Sequence, residues 1–452
     1  MCRGRFWLLF GSILTLVGLV ACGGVSVGSE KQSVVQLKAV TIGPGPIPVT
    51  RAANLEDAAA AVNARMKDKQ VSLEVTFSRD PFSEYRKKFA LAFRAGKAED
   101  IHSEDQDIIP ELASYEQILP LDDLFTTWPR ELREDFFPAV WDTVTWQGKV
   151  YAIPIESVVN AIFFRKDILR NLGYSDQEIG AMLPTNARNV TLDLLVELAR
   201  KAKQKGMVEY GFLHRPNAGP YFAVMLDVFG ARFVDPKTGQ LIVDVPALQK
   251  MLQWHYDMVK EGLIPKDMTS WPWKTIHKYA VEGKTLFWIG GHSGQWKEWQ
   301  DQPYHEKLGT LSEDYLEQNM GIMAFPGPTT LISTHGYMLV STTKYPELSF
   351  DIITEAVRPE LLARHAITTF RAPVRRSVLN TKEFKNERFL GRVTQIVEVG
   401  KGFPKHPEFS RYMDLVCQAV AGVESGRMDP DTGVKFVLMQ AREGLKDVTV
   451  RQ

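Results

Sequence analysis

Between residues 71 and 78 the chain alternates strictly, with Val71, Leu73, Val75 and Phe77 set against Ser72, Glu74, Thr76 and Ser78. A period of two predicts a strand with one buried face. The β-branched run Val35–Ile42 predicts a second strand, stopped by Gly43-Pro44-Gly45-Pro46. Between them, Asn54–Lys69 carries alanines at helical density, and Pro81–Ala95 returns to a helical pattern closed by Gly96. Strand, helix, strand, helix in that order predicts an α/β layer with parallel strands.

The same signals recur further on. Thr191 is a predicted N-cap for a helix whose Leu195, Leu198, Ala199 and Ala202 share one face, with Gly206 as its stop. Over Ala247–Glu261, the residues Leu248, Met251, Leu252, His255, Met258 and Val259 share a face, and Gly262 ends it. His255 therefore reads as a satisfied, partly buried histidine. Asp235-Pro236-Lys237-Thr238-Gly239 predicts a hairpin turn. Asp429-Pro430-Asp431-Thr432-Gly433 predicts a helix start, since a calcium loop would need a downstream bidentate Glu.

The first residues follow a different logic. Arg3 and Arg5 precede an apolar run of 15 residues, Phe6–Val20. A membrane span needs about 20 apolar residues, so this run fits the core of an export signal instead. Its end, Leu19-Val20-Ala21-Cys22-Gly23-Gly24, resembles a bacterial lipobox. Residues 1–21 are thus expected to be a lipoprotein signal peptide, with Cys22 as the lipid attachment site. Residues 22–34 are small and polar, and read as a flexible tether.

Composition narrows the class without naming a function. The 452 residues include 54 basic and 54 acidic side chains, and 44% are hydrophobic. Losing Arg3 and Arg5 leaves 52 basic against 54 acidic residues, a mature net charge of −2. That balance argues against a nucleic-acid partner, whose footprint would be a basic excess. With Cys2 removed and Cys22 lipidated, Cys417 stands alone in the apolar stretch Met413–Val420, and reads as a buried small hydrophobe. An exported chain without an internal disulfide then depends on a large core, which this length provides.

Several catalytic patterns fail on inspection. Gly291-His292-Ser293-Gly294-Gln295 resembles a nucleophile elbow until Gln295, which stands where the sharp turn needs glycine; His335 and His365 would complete a triad only on paper. No HExxH pair, Walker A or GxGxxG stands in the chain, so neither metal nor cofactor is implied. Carboxylate pairs such as Glu104 with Asp105, or Asp122 with Asp123, leave a carbohydrate hydrolase or lyase open as an alternative.

Tryptophan is the informative residue. Apart from Trp7, all nine lie between Trp128 and Trp299. Some must be core, but Trp271-Pro272-Trp273, and Trp296 with Trp299, sit in polar Gly- or Pro-bearing surroundings that read as loops. Rings near carboxylates, Asn and Arg suit a sugar, whose C–H face stacks while its hydroxyls need fixed donors and acceptors.

These residues resemble the extracellular solute-binding proteins of carbohydrate ABC importers, the maltose-binding-protein-like family. The resemblance runs over nearly all of the mature chain. Trp146-Gln147-Gly148-Lys149-Val150-Tyr151-Ala152-Ile153-Pro154 is its most specific motif, followed by Ile162-Phe163-Phe164-Arg165-Lys166-Asp167. Leu119–Leu124, Val281-Glu282-Gly283-Lys284 with Trp296, Phe325-Pro326-Gly327-Pro328, and Lys344-Tyr345-Pro346-Glu347 are similar to further family segments, as is the tail from Pro407 to Val448. Leu286-Phe287, where Ala-Met is usual, a longer Gly290–Gln295 loop and Arg165 in place of Asn depart from the pattern.

The resemblance implies a two-lobed α/β, periplasmic-binding-protein-like fold of type II with a hinge. Lobe 1 is expected from 35–135 plus 330–375, and lobe 2 from 140–328 plus 376–452. It implies a binding protein rather than an enzyme, held by lipid at the extracellular face of the membrane, or periplasmic where an outer membrane exists. A monomer is expected to capture a sugar or oligosaccharide in the interlobe cleft and hand it to membrane permease subunits. Trp296 is the expected stacking ring, with Trp271 and Trp273 as a second ring or rim. Glu156, Asp105, Asn217 and Arg371 are the expected polar contacts, and Tyr412 a further platform. A receptor for an acidic or non-sugar solute stays open, motivated by Arg165, Arg371, Arg375 and Arg376.

Overall fold

The computed structural model describes residues 33–67, 69–183, 190–327 and 330–452. The expected signal peptide, Cys22 and the tether up to residue 32 lie outside the described residues.

Strand β1 (Ser33–Ile42) starts the fold and pairs in parallel with β2 (Lys69–Ser78) along its whole length, from Ser33 opposite Lys69 to Ile42 opposite Ser78. The connecting helix α1 (Ile47–Arg65) begins earlier than its alanine pattern suggested. Pro48 sits in its first turn, where a missing N–H costs nothing. Helix α2 (Phe82–Arg94) follows, and β3 (Ile101–Asp105) returns in parallel beside β1. The predicted strand–helix order and parallel pairing are both present.

Two long strands then span the molecule. Strand β4 (Ile153–Arg165) pairs antiparallel through its first half with the later strand β8 (Thr330–Leu339). Its second half, Asn160–Arg165, pairs antiparallel with β6 (Thr285–His292) and β7 (Met320–Met323), while β5 (Tyr210–His214) lies parallel to β6. Strand β8 in turn runs antiparallel to β3 through His335–Leu339 and parallel to the short β9 (Gly400–Gly402) through Thr330–Ile332. The nine-stranded sheet thus has the order β2-β1-β3-β8-β4-β6-β5, with β7 also on β4 and β9 also on β8. Register shifts at His335/Gly336 and at Ala161/Ile162 interrupt β8 and β4 near the middle of this path. Both strands are almost wholly buried, as a strand covered on two faces must be.

Helices gather in two groups. Helix α1 packs on β2 and against Pro346–Glu355 and α7 (Pro359–Thr369). On the other side α3 (Leu192–Gln204) covers β5. There α5 (Val245–Lys260), α9 (Phe409–Glu424) and α10 (Pro430–Gly444) pack together, with α4 (Pro220–Val228) against the sheet. Helices α6 (Gly294–Asp301) and α8 (Arg388–Glu398) complete that side. The sequence-level caps hold: Thr191 accepts from the Leu194 amide and Asp429 from the Thr432 amide. Asp235–Gln240 closes a hairpin loop between the bridged Val234 and Leu241. Cys417 is partly buried on α9, and burial pushes its thiol up to about 11, out of nucleophile range. Among the described residues, no helix is long and apolar enough to cross a membrane.

Candidate functional site

A cavity of about 380 Å³ opens between the end of β3 and the start of α9. Its walls come from distant parts of the chain. Asp105, Gln106, Asp107 and Pro110 follow the end of β3, and Ser333 belongs to β8. Ala218 and Gly219 lie just ahead of α4. Phe403–Pro407 and then Phe409, Ser410, Met413 and Asp414 come from the loop before α9 and its first turns. The volume falls within the range of small-molecule sites, and rings and carboxylates share the lining.

Behind Asp105 an ionic chain runs into the interior. His335 Nδ1 donates to Asp105 Oδ1 at 3.0 Å, while its Nε2 receives Arg51 Nη1 at 2.7 Å and the Ser103 hydroxyl at 3.1 Å. An arginine can only donate, so Nε2 is the acceptor and the proton sits on Nδ1. Arg51 Nη2 then reaches Glu156 Oε1 at 2.9 Å, and Glu156 Oε2 pairs with His365 Nε2. The Thr50 hydroxyl holds His365 Nδ1 at 2.8 Å, and Arg371 Nε approaches Glu156 Oε1 at 3.7 Å. Burial alone would raise the Glu156 carboxyl, but Arg51, then His365 and Arg371, hold it well below its usual range. Burial lowers both His335 and His365, with Arg51 adding to it, so both imidazoles are neutral at pH 7. This framework fixes the Asp105 carboxylate at the cavity wall.

Asp107, whose side chain is 45% exposed, is the lining carboxyl with a raised pKa. Burial raises it, Arg86 opposes, and the neighbouring Asp105 and Glu104 push the same way as burial, to about 6. Arg86 braces it at 2.7 Å and also holds Glu104. On the opposite wall, Lys405 donates to the Asp142 carbonyl oxygen, and burial lowers its pKa.

Of the residues expected from sequence, Asp105 lines the cavity, and Asn217 is exposed in the loop directly before Ala218. Glu156 and Arg371 belong to the buried chain behind the wall. The three tryptophans lie elsewhere. Trp296 is fully buried, its ring stacked on Phe389 at 4.1 Å and its Nε1 donating to Glu313 at 3.0 Å. Trp271 packs edge-on against Tyr279 and Tyr210, and Trp273 against His277 and Trp288 with the Arg215 guanidinium 5.1 Å from its ring. Tyr412 is buried on the inner face of α9. The polar neighbours that made these aromatics look like loop residues are sequence neighbours. The ring partner of Trp296, Phe389, comes from far along the chain, whereas the half-buried Trp271 and Trp273 also pack on nearer residues such as Tyr279 and His277. Phe403 and Phe409 supply the cavity's rings instead; the Phe403-Pro404-Lys405-His406-Pro407 run was the sequence signal for that wall.

The serine elbow and three of the four arginines that motivated the alternatives are engaged elsewhere. Ser293 donates its hydroxyl to the Phe370 carbonyl, while His335 and His365 are committed to Asp105 and Glu156, so no triad forms around it. Arg165 is held by Asp167 and the Val281 carbonyl, Arg375 by Asp135 and the Val357 carbonyl, and Arg376 by the Glu134 and Phe136 carbonyls. None of these three faces the cavity, whose lining carries Asp105, Asp107 and Asp414 against Lys405.

Comparison with known proteins agrees with this architecture. A family model described as bacterial extracellular solute-binding protein matches residues 58–389. The maltotriose-binding protein of Pyrococcus abyssi (strain GE5 / Orsay) is 22% identical over 337 residues, covering 74% of this chain and 67% of that protein. The sugar-binding protein MalE from Xanthomonas citri superposes with a TM-score of 0.73 at 19% identity, over 90% of this chain and 97% of that one. An ABC transporter solute-binding protein from Agrobacterium radiobacter K84, solved with ribitol, gives 0.66 at 18% identity, over 91% and 99%. At such identities the superpositions establish the fold, two α/β lobes of the type II binding-protein kind.

Proposed function

The chain belongs to the bacterial extracellular solute-binding proteins, and from that premise we propose that it captures a sugar or oligosaccharide in the cavity between Asp105 and α9. The observation that carries this reading is the lining itself: three carboxylates as hydroxyl acceptors beside the rings of Phe403 and Phe409. A neutral polyol uses both, whereas an acidic solute would meet like charge. Asp105 is the principal acceptor because the His335–Arg51–Glu156 chain holds it in one orientation, and Asn217 is a further donor at the rim.

In this reading residues 35–135 with 330–375 form one lobe, and 140–328 with 376–452 the other. Strands β4 and β8 form the hinge, and ligand stabilises the closed state by contacting both lobes at once. Cys22 carries the lipid, the chain works as a monomer at the outer face of the membrane, and permease subunits take the solute from the closed form. Binding without turnover follows, since the histidines beside the carboxylates are structural.

Mass spectrometry of small molecules released from the freshly purified chain tests this proposal. A neutral saccharide or polyol at one per chain supports it. A cleaved product series appearing on incubation with oligosaccharide would support the hydrolase instead.

A further inference from the structure

We propose that His214, His255 and Glu424 bind a divalent transition-metal cation in the buried core, with zinc the best match to the donors. The three residues come from the end of β5, the middle of α5 and the last turn of α9, and all are fully buried. His214 Nε2 lies 2.6 Å from Glu424 Oε1, and His255 Nδ1 lies 2.8 Å from the same oxygen. The two imidazole rings stand nearly perpendicular, at 87°, with centroids 5.3 Å apart. Two ring nitrogens and a carboxylate thus converge on one point.

The outer nitrogens show how the inner ones are disposed. His214 Nδ1 faces the Arg215 carbonyl oxygen at 2.7 Å, and a carbonyl only accepts, so Nδ1 carries the hydrogen. His214 Nε2 then has a lone pair turned toward a carboxylate, and something positive must lie between them. A proton is one answer and a metal cation the other. The second observation separates them: Glu424 Oε2 is buried without a hydrogen-bond partner. A proton shared with Oε1 leaves that oxygen buried and orphaned, which is costly for a charged group. A cation held by both carboxylate oxygens and the two imidazoles satisfies it.

The surroundings complete a metal site's outer shell. The Arg215 carbonyl fixes the His214 tautomer, and the Tyr221 hydroxyl stands 3.4 Å from His255 Nε2. Two nitrogens with a carboxylate suit zinc, whose tetrahedral sites use these donors. Among the described residues this is the one grouping of three such side chains close enough to share an ion. Its position also gives it work to do. His214 ends the strand whose following loop reaches Ala218 and Gly219, and Glu424 ends the helix whose first turns carry Phe409 and Ser410, so the cation would join two elements that each continue to the cavity wall.

A site without solvent access fills as the chain folds, so the test is a refolding experiment. The chain is unfolded with chelator, refolded with zinc chloride or with EDTA, freed of loose metal by gel filtration, and assayed by elemental mass spectrometry and thermal unfolding. One zinc per chain and a higher midpoint for the zinc-refolded sample are expected. Refolding with cobalt(II) should add a visible d–d absorption band. Cys417→Ser should keep the metal and Glu424→Gln should lose it. A wild-type chain that refolds with zinc yet holds none and shows no shift overturns the proposal, as does full retention in Glu424→Gln. The metal count needs no sugar, so it stands or falls separately from the solute-binding reading.

Discussion

Glu156 and Arg51 form an ion pair of 2.9 Å in which each side chain is only 2% exposed. One comes from β4 and the other from α1, so the contact ties a long central strand to the first helix. Removing one partner of a buried pair leaves the other's charge uncompensated. Arg51→Met is expected to cost about 3–5 kcal/mol, read as a lower urea midpoint at unchanged slope. A loss under about 1 kcal/mol would show that water or Arg371 takes over the pairing.

Stability should fall on acidification in two stages. His335 and His365 are lowered below 6.5 by burial, so the unfolded chain takes up their protons first. Their contribution is complete above pH 6.5 and is lost as pH drops from there toward the folded-state values. Glu156 is lowered well below 4.5, so its contribution is complete above pH 4.5 and disappears only as pH falls toward its folded-state value. Urea midpoints at pH 8, 6 and 4 should decrease in that order; a flat profile from pH 8 to 5 would remove the neutral-histidine assignment.

Asp107 gives the site its own pH dependence. With its carboxyl raised to about 6, it changes from acceptor to partly protonated acid just below neutrality. Solute affinity should therefore weaken as pH drops from 7.5 to 5. Titration calorimetry on Asp107→Asn should show a flatter curve, because the amide keeps an acceptor and does not titrate. Parallel curves for both proteins would exclude Asp107 from contact with the solute.

Trp296→Ala separates a core role from a ligand role. The indole is fully buried on Phe389, so truncation should destabilise the chain by about 3–5 kcal/mol. If thermal unfolding is unchanged while solute affinity collapses, the ring faces the ligand in the bound state.

What the sequence made legible was local. The strand over Val71–Phe77, the Thr191 cap and the Gly96 and Gly206 stops depend on neighbours a few residues away, and each is present, although Phe77, read onto the buried face, is 47% exposed at the strand's end. The motif around Gly148–Pro154 placed Glu156 correctly on a strand entering the centre. The partners of that residue were not legible. Arg51, His335 and His365 meet Glu156 only through the crossing of β4 and β8, and no spacing in the chain encodes that. For the same reason Trp296, beside Gly and Ser, reads as exposed until Phe389 is packed on it. The His214–Glu424 contact joins residues 210 positions apart in the chain, and His255 showed only its apolar helix face.

The central claim is that solute sits in the cavity against Asp105, and one titration tests it. Wild-type chain and Asp105→Ala, both checked by circular dichroism, are titrated calorimetrically with a panel of neutral oligosaccharides and polyols. One-to-one binding of at least one panel member is expected, weakened in Asp105→Ala by about tenfold or more, the value of a lost charged hydrogen bond. Equal affinity of the two proteins for the same sugar would contradict it.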